Sequence, residues 1–271
     1  MIHVRRIWDW FSQMTKHGIF DYSAQSAYYW LTSIFPLFYI IATIAVSSEI
    51  INLAAILDKL SVILPESAFS VIKSTTNSII TESLPSTFSI SVLIAIYSSS
   101  KGVSSLIKGL DSQLEEVRTF RKRFIYSIVF MVFFIIAIIS SIIFLVFGDY
   151  LGNLIFENTR LLFVWDILRY ALVLSILILC FALAYKFLCL EKRKLRECFF
   201  GAAFAAIIWI VACGLFSFYV NRFSNYTTFY AGISGIIIIL LWFYMSSFVF
   251  LLGSEINMLF LKYKKTKKAE I

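Results

Sequence analysis

Few side chains in this sequence can do acid–base or metal chemistry, and fewer stand at useful spacings. Across 271 residues there are two histidines, His3 and His17, four cysteines and 16 Asp and Glu residues. Cleaving RNA needs a histidine pair, or carboxylates gathered on metal ions. Here the carboxylates are scattered, and both histidines precede the first long apolar stretch. Cys180, Cys189, Cys198 and Cys213 form no CxxC, so no structural zinc site is expected. They read as small apolar residues in or beside helices. Asp111 and Glu115 are spaced as two ligands on one helix face would be, but Arg118 is placed to pair with Glu115, and Lys108 lies near Asp111. That stretch reads as a solvated helix face. There is no GxxxxGK[ST] loop and no GxSxG elbow. No cofactor is expected.

What remains is a set of charged and polar groups inside or at the ends of apolar stretches. An ionisable group within a membrane is expensive and is a functional candidate by default. Lys101 interrupts one apolar stretch, and Glu255 closes another in the run Gly253-Ser254-Glu255-Ile256-Asn257. With Asn257, Ser33, Pro36, Tyr28 and Ser98 they form the candidate substrate path or gate. Counting depth along two descending helices brings Lys101 and Glu255 to within one side chain's reach near the cytoplasmic mouth. The alternative is that each snorkels separately to the interface.

The elements that must position these residues are membrane helices. The chain is 60% hydrophobic and only 15% charged, with a mean hydropathy of +0.86. A soluble domain carries about 25% charged residues. A bilayer core about 30 Å thick is crossed by about 20 apolar residues in a helix. Six stretches qualify: 23–46, 86–107, 124–147, 167–188, 199–220 and 231–254. Residues 1–22 read as an amphipathic interfacial helix, with Val4, Ile7, Trp8, Phe11 and Met14 on one face, and no signal peptide is evident. Residues 49–85 read as an amphipathic helical hairpin between spans one and two, and 262–271 as a basic tail.

Two spans carry special features. Pro36 removes a backbone bond in span one and frees the Thr32 carbonyl, which the Thr32 or Ser33 hydroxyl is near enough to help satisfy. Either a bent helix lining a cavity or a packed kink results. Span two is serine-rich, with Ser91, Ala95, Ser98, Gly102, Ser105 and Gly109 along one face. Such a face lets helices approach closely, or borders a wet cavity.

The net charge of +8 invites a nucleic-acid reading, but its distribution argues otherwise. The N-terminal segment, the loops at 108–123 and 189–198 and the tail hold 17 Lys and Arg, against 4 in the alternate connections. Six spans with both termini cytoplasmic follow from the positive-inside rule. The expected fold is thus an all-α polytopic membrane helical bundle, forming a single domain over 1–271.

Three segments together carry a family resemblance: AYYWLTSIFPL from Ala27, YSSSKGVSSLIKGLD from Tyr97, and YAGISGIIIILLWFYMSSFVFLLGSEIN from Tyr230. In order and spacing the chain resembles the YihY/BrkB family of bacterial inner-membrane proteins, once called ribonuclease BN. Tyr97 and the Tyr230-Ala231 pair depart from the family's commoner Trp and Tyr-Gly. The resemblance implies a six-span integral protein of the inner membrane, with transport of a lipid-like or charged solute among its suggested roles.

Three readings follow. A transporter, flippase or permease fits the bent helix, the serine-rich helix and the few membrane charges, although no internal repeat is evident. A membrane scaffold or assembly factor needs only packed helices and a basic cytoplasmic face. An enzyme, a ribonuclease included, lacks its catalytic constellation. The expected partners are membrane lipids and a lipid-like or ionic substrate, with a homo-oligomer left open and nucleic acid excluded. On a cysteine-free background, labels placed in the 189–198 loop should react only from the cytoplasmic side. Reaction from outside the cell would overturn the topology.

Overall fold

The structure, a computed structural model, describes residues 12–47, 85–115, 117–133, 159–190, 193–223 and 234–269. All regular structure among them is helical: α1 (12–16), α2 (Ile19–Ser47), α3 (Pro85–Ser112), α4 (120–133), α5 (Thr159–Leu188), α6 (Leu195–Phe223) and α7 (Ser234–Ala269). Within these, Phe88–Ser112, Ala171–Leu188, Leu195–Val220 and Gly235–Leu261 are long and apolar enough to cross a membrane. They match expected spans two, four, five and six. Span one lies within α2, and the first part of span three within α4. The hairpin read at 49–85, apart from Pro85, lies outside the described residues, as do residues 134–147 and the first eleven. The all-α membrane bundle read from the sequence is the observed architecture.

Helix ends follow local chemistry. Gly18 adopts a left-handed φ of +63° and separates α1 from α2, with its N–H bonded to the Thr15 carbonyl at 3.0 Å. Pro85 opens α3, where its missing N–H costs nothing. Glu197 helps cap the start of α6: its carboxylate accepts the Lys194 N–H at 3.0 Å. α7 runs on through the Lys-rich segment to Ala269, so the basic tail is largely a helical extension of span six. Its 36 residues make a helix about 54 Å long.

The chain falls into two compact units. One comprises Ser23–Gly102 and Ala212–Ser247. Here Ala95, Ser98 and Ser100 of α3 are buried, while Leu93, Ile94, Ile96 and Tyr97 are exposed. Gly102 sits against the Trp30 indole, and Ser26 donates to the Gly102 carbonyl at 3.0 Å. Trp30 meets Phe243 edge-on at 5.6 Å. For the part of the serine-rich face in this unit, close packing rather than a wet cavity is observed. The helix of Pro36 is continuous. The hydroxyls near it do not serve the Thr32 carbonyl as expected. Thr32 donates to Tyr29 at 2.9 Å and Ser33 to Trp30 at 2.7 Å, one turn back along the same helix.

The other unit comprises Met1–Tyr22, Val103–Val211 and Phe248–Ile271. In its core α6 and α7 meet closely. A Cβ placed on Gly253 would lie 2.6 Å from the Ala205 Cβ and 2.7 Å from the Gly201 carbonyl oxygen. One on Gly201 would strike the Gly253 carbonyl oxygen. Ala202, Ala205 and Ala206 are fully buried around this point. α3 approaches by the same device, for a Cβ on Gly109 would fall 2.8 Å from the Leu251 methyls. Gly253→Ala should therefore cost about 1–3 kcal/mol by overpacking. Gly214→Ala, which meets open space, should be neutral or stabilising by up to about 1 kcal/mol of helix propensity. Thermal unfolding of both variants in one detergent tests the contrast.

Candidate functional site

The site is a buried polar cluster at the Gly253–Asn257 run of α7. Ser254, Glu255 and Asn257 are 2%, 1% and 0% exposed, which is far from typical for such residues. Helical spacing fans their side chains in different directions, so one short run meets several neighbours.

Asn257 faces α6. Its Oδ1 accepts the Gly201 N–H at 2.7 Å and its Nδ2 donates to the Cys198 carbonyl at 3.1 Å. The absent side chain of Gly201 lets the amide lie flat on the α6 backbone. Ser254 faces the end of α3, donating to Gln113 Oε1 at 2.7 Å, while Gln113 Nε2 donates to the Leu251 carbonyl at 3.2 Å. Gln113 reaches this place because α3 unwinds just before it. Leu114 N–H bonds back to Asp111, and Glu115 takes a left-handed φ of 56°, turning the chain over. Tyr185 of α5 donates to the Phe250 carbonyl at 2.7 Å, its ring against Phe250 at 4.9 Å.

Glu255 faces the turn before α2. Its Oε2 lies 3.0 Å from His17 Nδ1, with the two side chains 2% and 14% exposed respectively. His17 is itself anchored: Ser112 donates to its backbone carbonyl at 2.6 Å. Consecutive residues thus bond the two segments that meet here, Ser112 to His17 and Gln113 to Ser254 next to Glu255. An ion pair joins Arg118 to Asp111 at 3.1 Å, with both residues buried. Arg118 also donates to the Leu188 carbonyl, capping the C-terminus of α5. The sequence places Asp111 on a solvated face and Arg118 with Glu115. Instead Glu115 is exposed and Arg118 turns inward. The cause is the reversal at 113–115, which no helix-face count includes.

Of the candidate path residues, Glu255 and Asn257 lie together in this cluster. Tyr28, Ser33, Pro36, Ser98 and Lys101 belong to the other unit. There Ser33 and Ser98 are buried, Tyr28 is exposed, and the Lys101 ammonium lies 5.3 Å from the Tyr97 ring centroid. The partner that the structure gives Glu255 is His17. No motif announces His17, Gln113, Tyr185 or the Asp111–Arg118 pair. Among the described residues no three His, Cys, Asp or Glu side chains gather as a metal site.

An all-helical bundle with membrane-crossing helices joined by buried polar tethers defines a polytopic membrane protein. The chain belongs to the family described as Virulence factor BrkB, whose model matches residues 10–271. It is 31% identical over 261 residues, 94% of each chain, to a Bacillus subtilis (strain 168) protein named as ribonuclease-like, YfkH. It is 29% identical over 172 residues to a UPF0761 membrane protein of Actinobacillus pleuropneumoniae serotype 5b (strain L20), covering 61% of this chain and 62% of that one. A UPF0761 membrane protein of Azotobacter vinelandii (strain DJ / ATCC BAA-1303) is 39% identical over 62 residues, 23% of this chain and 15% of that one. No solved structure matches the chain. The protein is a multi-pass bacterial membrane protein.

The Asn257 geometry distinguishes a tether from a gate. Asn257→Ala should lower stability by about 1–3 kcal/mol, because the Cys198 carbonyl and Gly201 N–H lose a buried partner. Unchanged unfolding with loss of cellular function would instead make Asn257 part of a path.

Proposed function

We propose that this protein moves a lipid-like or charged solute across the bacterial inner membrane, as a transporter, flippase or permease. It does so with six crossings and both termini cytoplasmic. The observation that supports this is the burial of Glu255 within the Gly235–Leu261 crossing, paired to His17. An ionisable group within a membrane helix is expensive and is a functional candidate by default. Helix packing alone is met here by glycine, alanine, Asn257 and Gln113, none of which carries charge. Glu255 therefore answers to a task other than packing. In this reading Tyr28, Ser33, Pro36, Ser98 and Lys101 border the route, with membrane lipids as surroundings or as cargo. Catalysis plays no part in it.

A second reading, a scaffold or assembly factor, is favoured by one specific observation. Asn257, Ser254, Gln113 and Tyr185 all direct their hydrogen bonds to neighbouring helices. Purified protein reconstituted into liposomes separates the two. Assayed over fluorescent phospholipid analogues and small ions, the wild type should move at least one class, and Glu255→Gln should cut that rate at least tenfold with helical content unchanged. No movement of any class by folded wild-type protein, with cellular function lost only in surface variants, would replace transport by the scaffold reading.

A further inference from the structure

Glu255 is buried in a run whose other members are held by neighbouring segments. Gly253 is pressed on α6, Ser254 is held by Gln113, and Asn257 is held by the α6 backbone. The Glu255 side chain is 2% exposed, and the group against its Oε2 is an imidazole 14% exposed. Imidazole can accept a proton at one nitrogen while releasing another from the second. His17 is thus the more exposed partner of the buried carboxylate, and the Ser112 hydroxyl lies 2.6 Å from its backbone carbonyl.

We propose that His17 and Glu255 form a proton relay, in which His17 carries protons between solvent and Glu255. The step balances without any other reactant. A neutral His17 bearing its hydrogen on Nδ1 takes a proton from water at Nε2. It gives the Nδ1 proton to Glu255 Oε2 across the 3.0 Å contact. The carboxylate becomes a carboxylic acid, and the imidazole is again neutral, as the other tautomer. Release runs in reverse. Other charged and titratable groups lie on the elements that hold the pair. Lys16 and Asp21 flank His17, and Lys108 and Asp111 lie on α3 with Arg118 behind them. Tyr185 of α5 and Cys198 of α6 pack against α7. Asp111 is paired with Arg118, and Tyr185 donates to a carbonyl, so neither competes for the His17 contact. As the proton entry of a coupled cycle, the relay rests on the transport reading above; as chemistry it does not.

Time-resolved infrared spectroscopy of the full chain in lipid nanodiscs, after a light-triggered drop in pH, tests it. A carboxylic-acid band absent from Glu255→Gln should rise in the wild type. It should rise at least tenfold more slowly in His17→Gln. In His17→Ala, imidazole added to the medium should restore the speed. If the His17 variants lose their thermal transition, a His3→Gln chain carbethoxylated at His17 serves in their place, with hydroxylamine reversing the block. A Glu255 band that never changes, or that rises at wild-type speed with His17 removed or blocked, would overturn the relay. A working relay in protein that moves no solute would sink only the transport reading. Solute movement without the relay would sink only this proposal.

Discussion

The membrane-embedded part of the unit built on α6 and α7 depends on one contact, the meeting of the α6 and α7 backbones at Gly201 and Gly253. Lipid tails are as apolar as leucine, so helices in a bilayer gain little from hiding apolar side chains against each other. They gain from close van der Waals packing and from hydrogen bonds that small residues allow. Removing two side chains at the crossing brings main chain against main chain, within reach of a short amide. Asn257 can then bond a donor and an acceptor of the α6 backbone at once. A larger residue at either glycine would lift the helices apart and strand that amide, so packing and hydrogen bonding stand or fall together here.

The same logic extends to α3 and α5. Gly109 admits Leu251, and the chain reversal after Ser112 turns Gln113 into the space beyond it. Tyr185 reaches the carbonyl of Phe250, one turn before Ser254. Each tether is a polar group whose alternative in hydrocarbon is an unmet hydrogen bond, costing several kcal/mol in apolar surroundings. Arg118 applies the principle at a helix end, offering one guanidinium to the Asp111 carboxylate and to the last carbonyl of α5. Breaking one partner of such a buried pair leaves the other charge uncompensated, typically at about 3–5 kcal/mol.

Much of this was legible in the sequence, and the rest was not for identifiable reasons. Long charge-poor stretches reveal membrane helices because hydrocarbon tolerates nothing else. The Gly253–Asn257 run stood out in the sequence because Glu255 and Asn257 end an apolar span, and the structure buries both in one polar cluster. The small-residue face of α3 was legible as a packing face. His17 was not, because it precedes the first span by several residues. Only the left-handed turn at Gly18 carries the chain on from it into α2. Asp111 and Arg118 were misplaced because a helical wheel assumes a helix that continues past Ser112. A one-residue change of backbone hand at Glu115 is enough to bring Arg118 back onto Asp111. Thr32 and Ser33 were assigned to the carbonyl freed by Pro36. Their hydroxyls instead reach carbonyls one turn earlier, which helical serine and threonine commonly do.

Within Gly253–Asn257 each polar residue but one is explained by packing. Gly253 provides proximity, Ser254 bonds Gln113 just past α3, and Asn257 bonds α6. Glu255 contributes nothing of this kind that a neutral glutamine could not. A glutamine could meet His17 as well, without the cost of removing a charge from water. Burying a carboxylate is offset only in part by a single imidazole, and replacing buried ion pairs with neutral groups is often neutral or stabilising. The local structure is nonetheless built to hold that carboxylate still, with immobilised residues on both sides of it and an anchored backbone beneath its partner. If the fold does not need that charge for stability, its fixed placement is what a functional group would require, since such a group must be held in position by the residues around it.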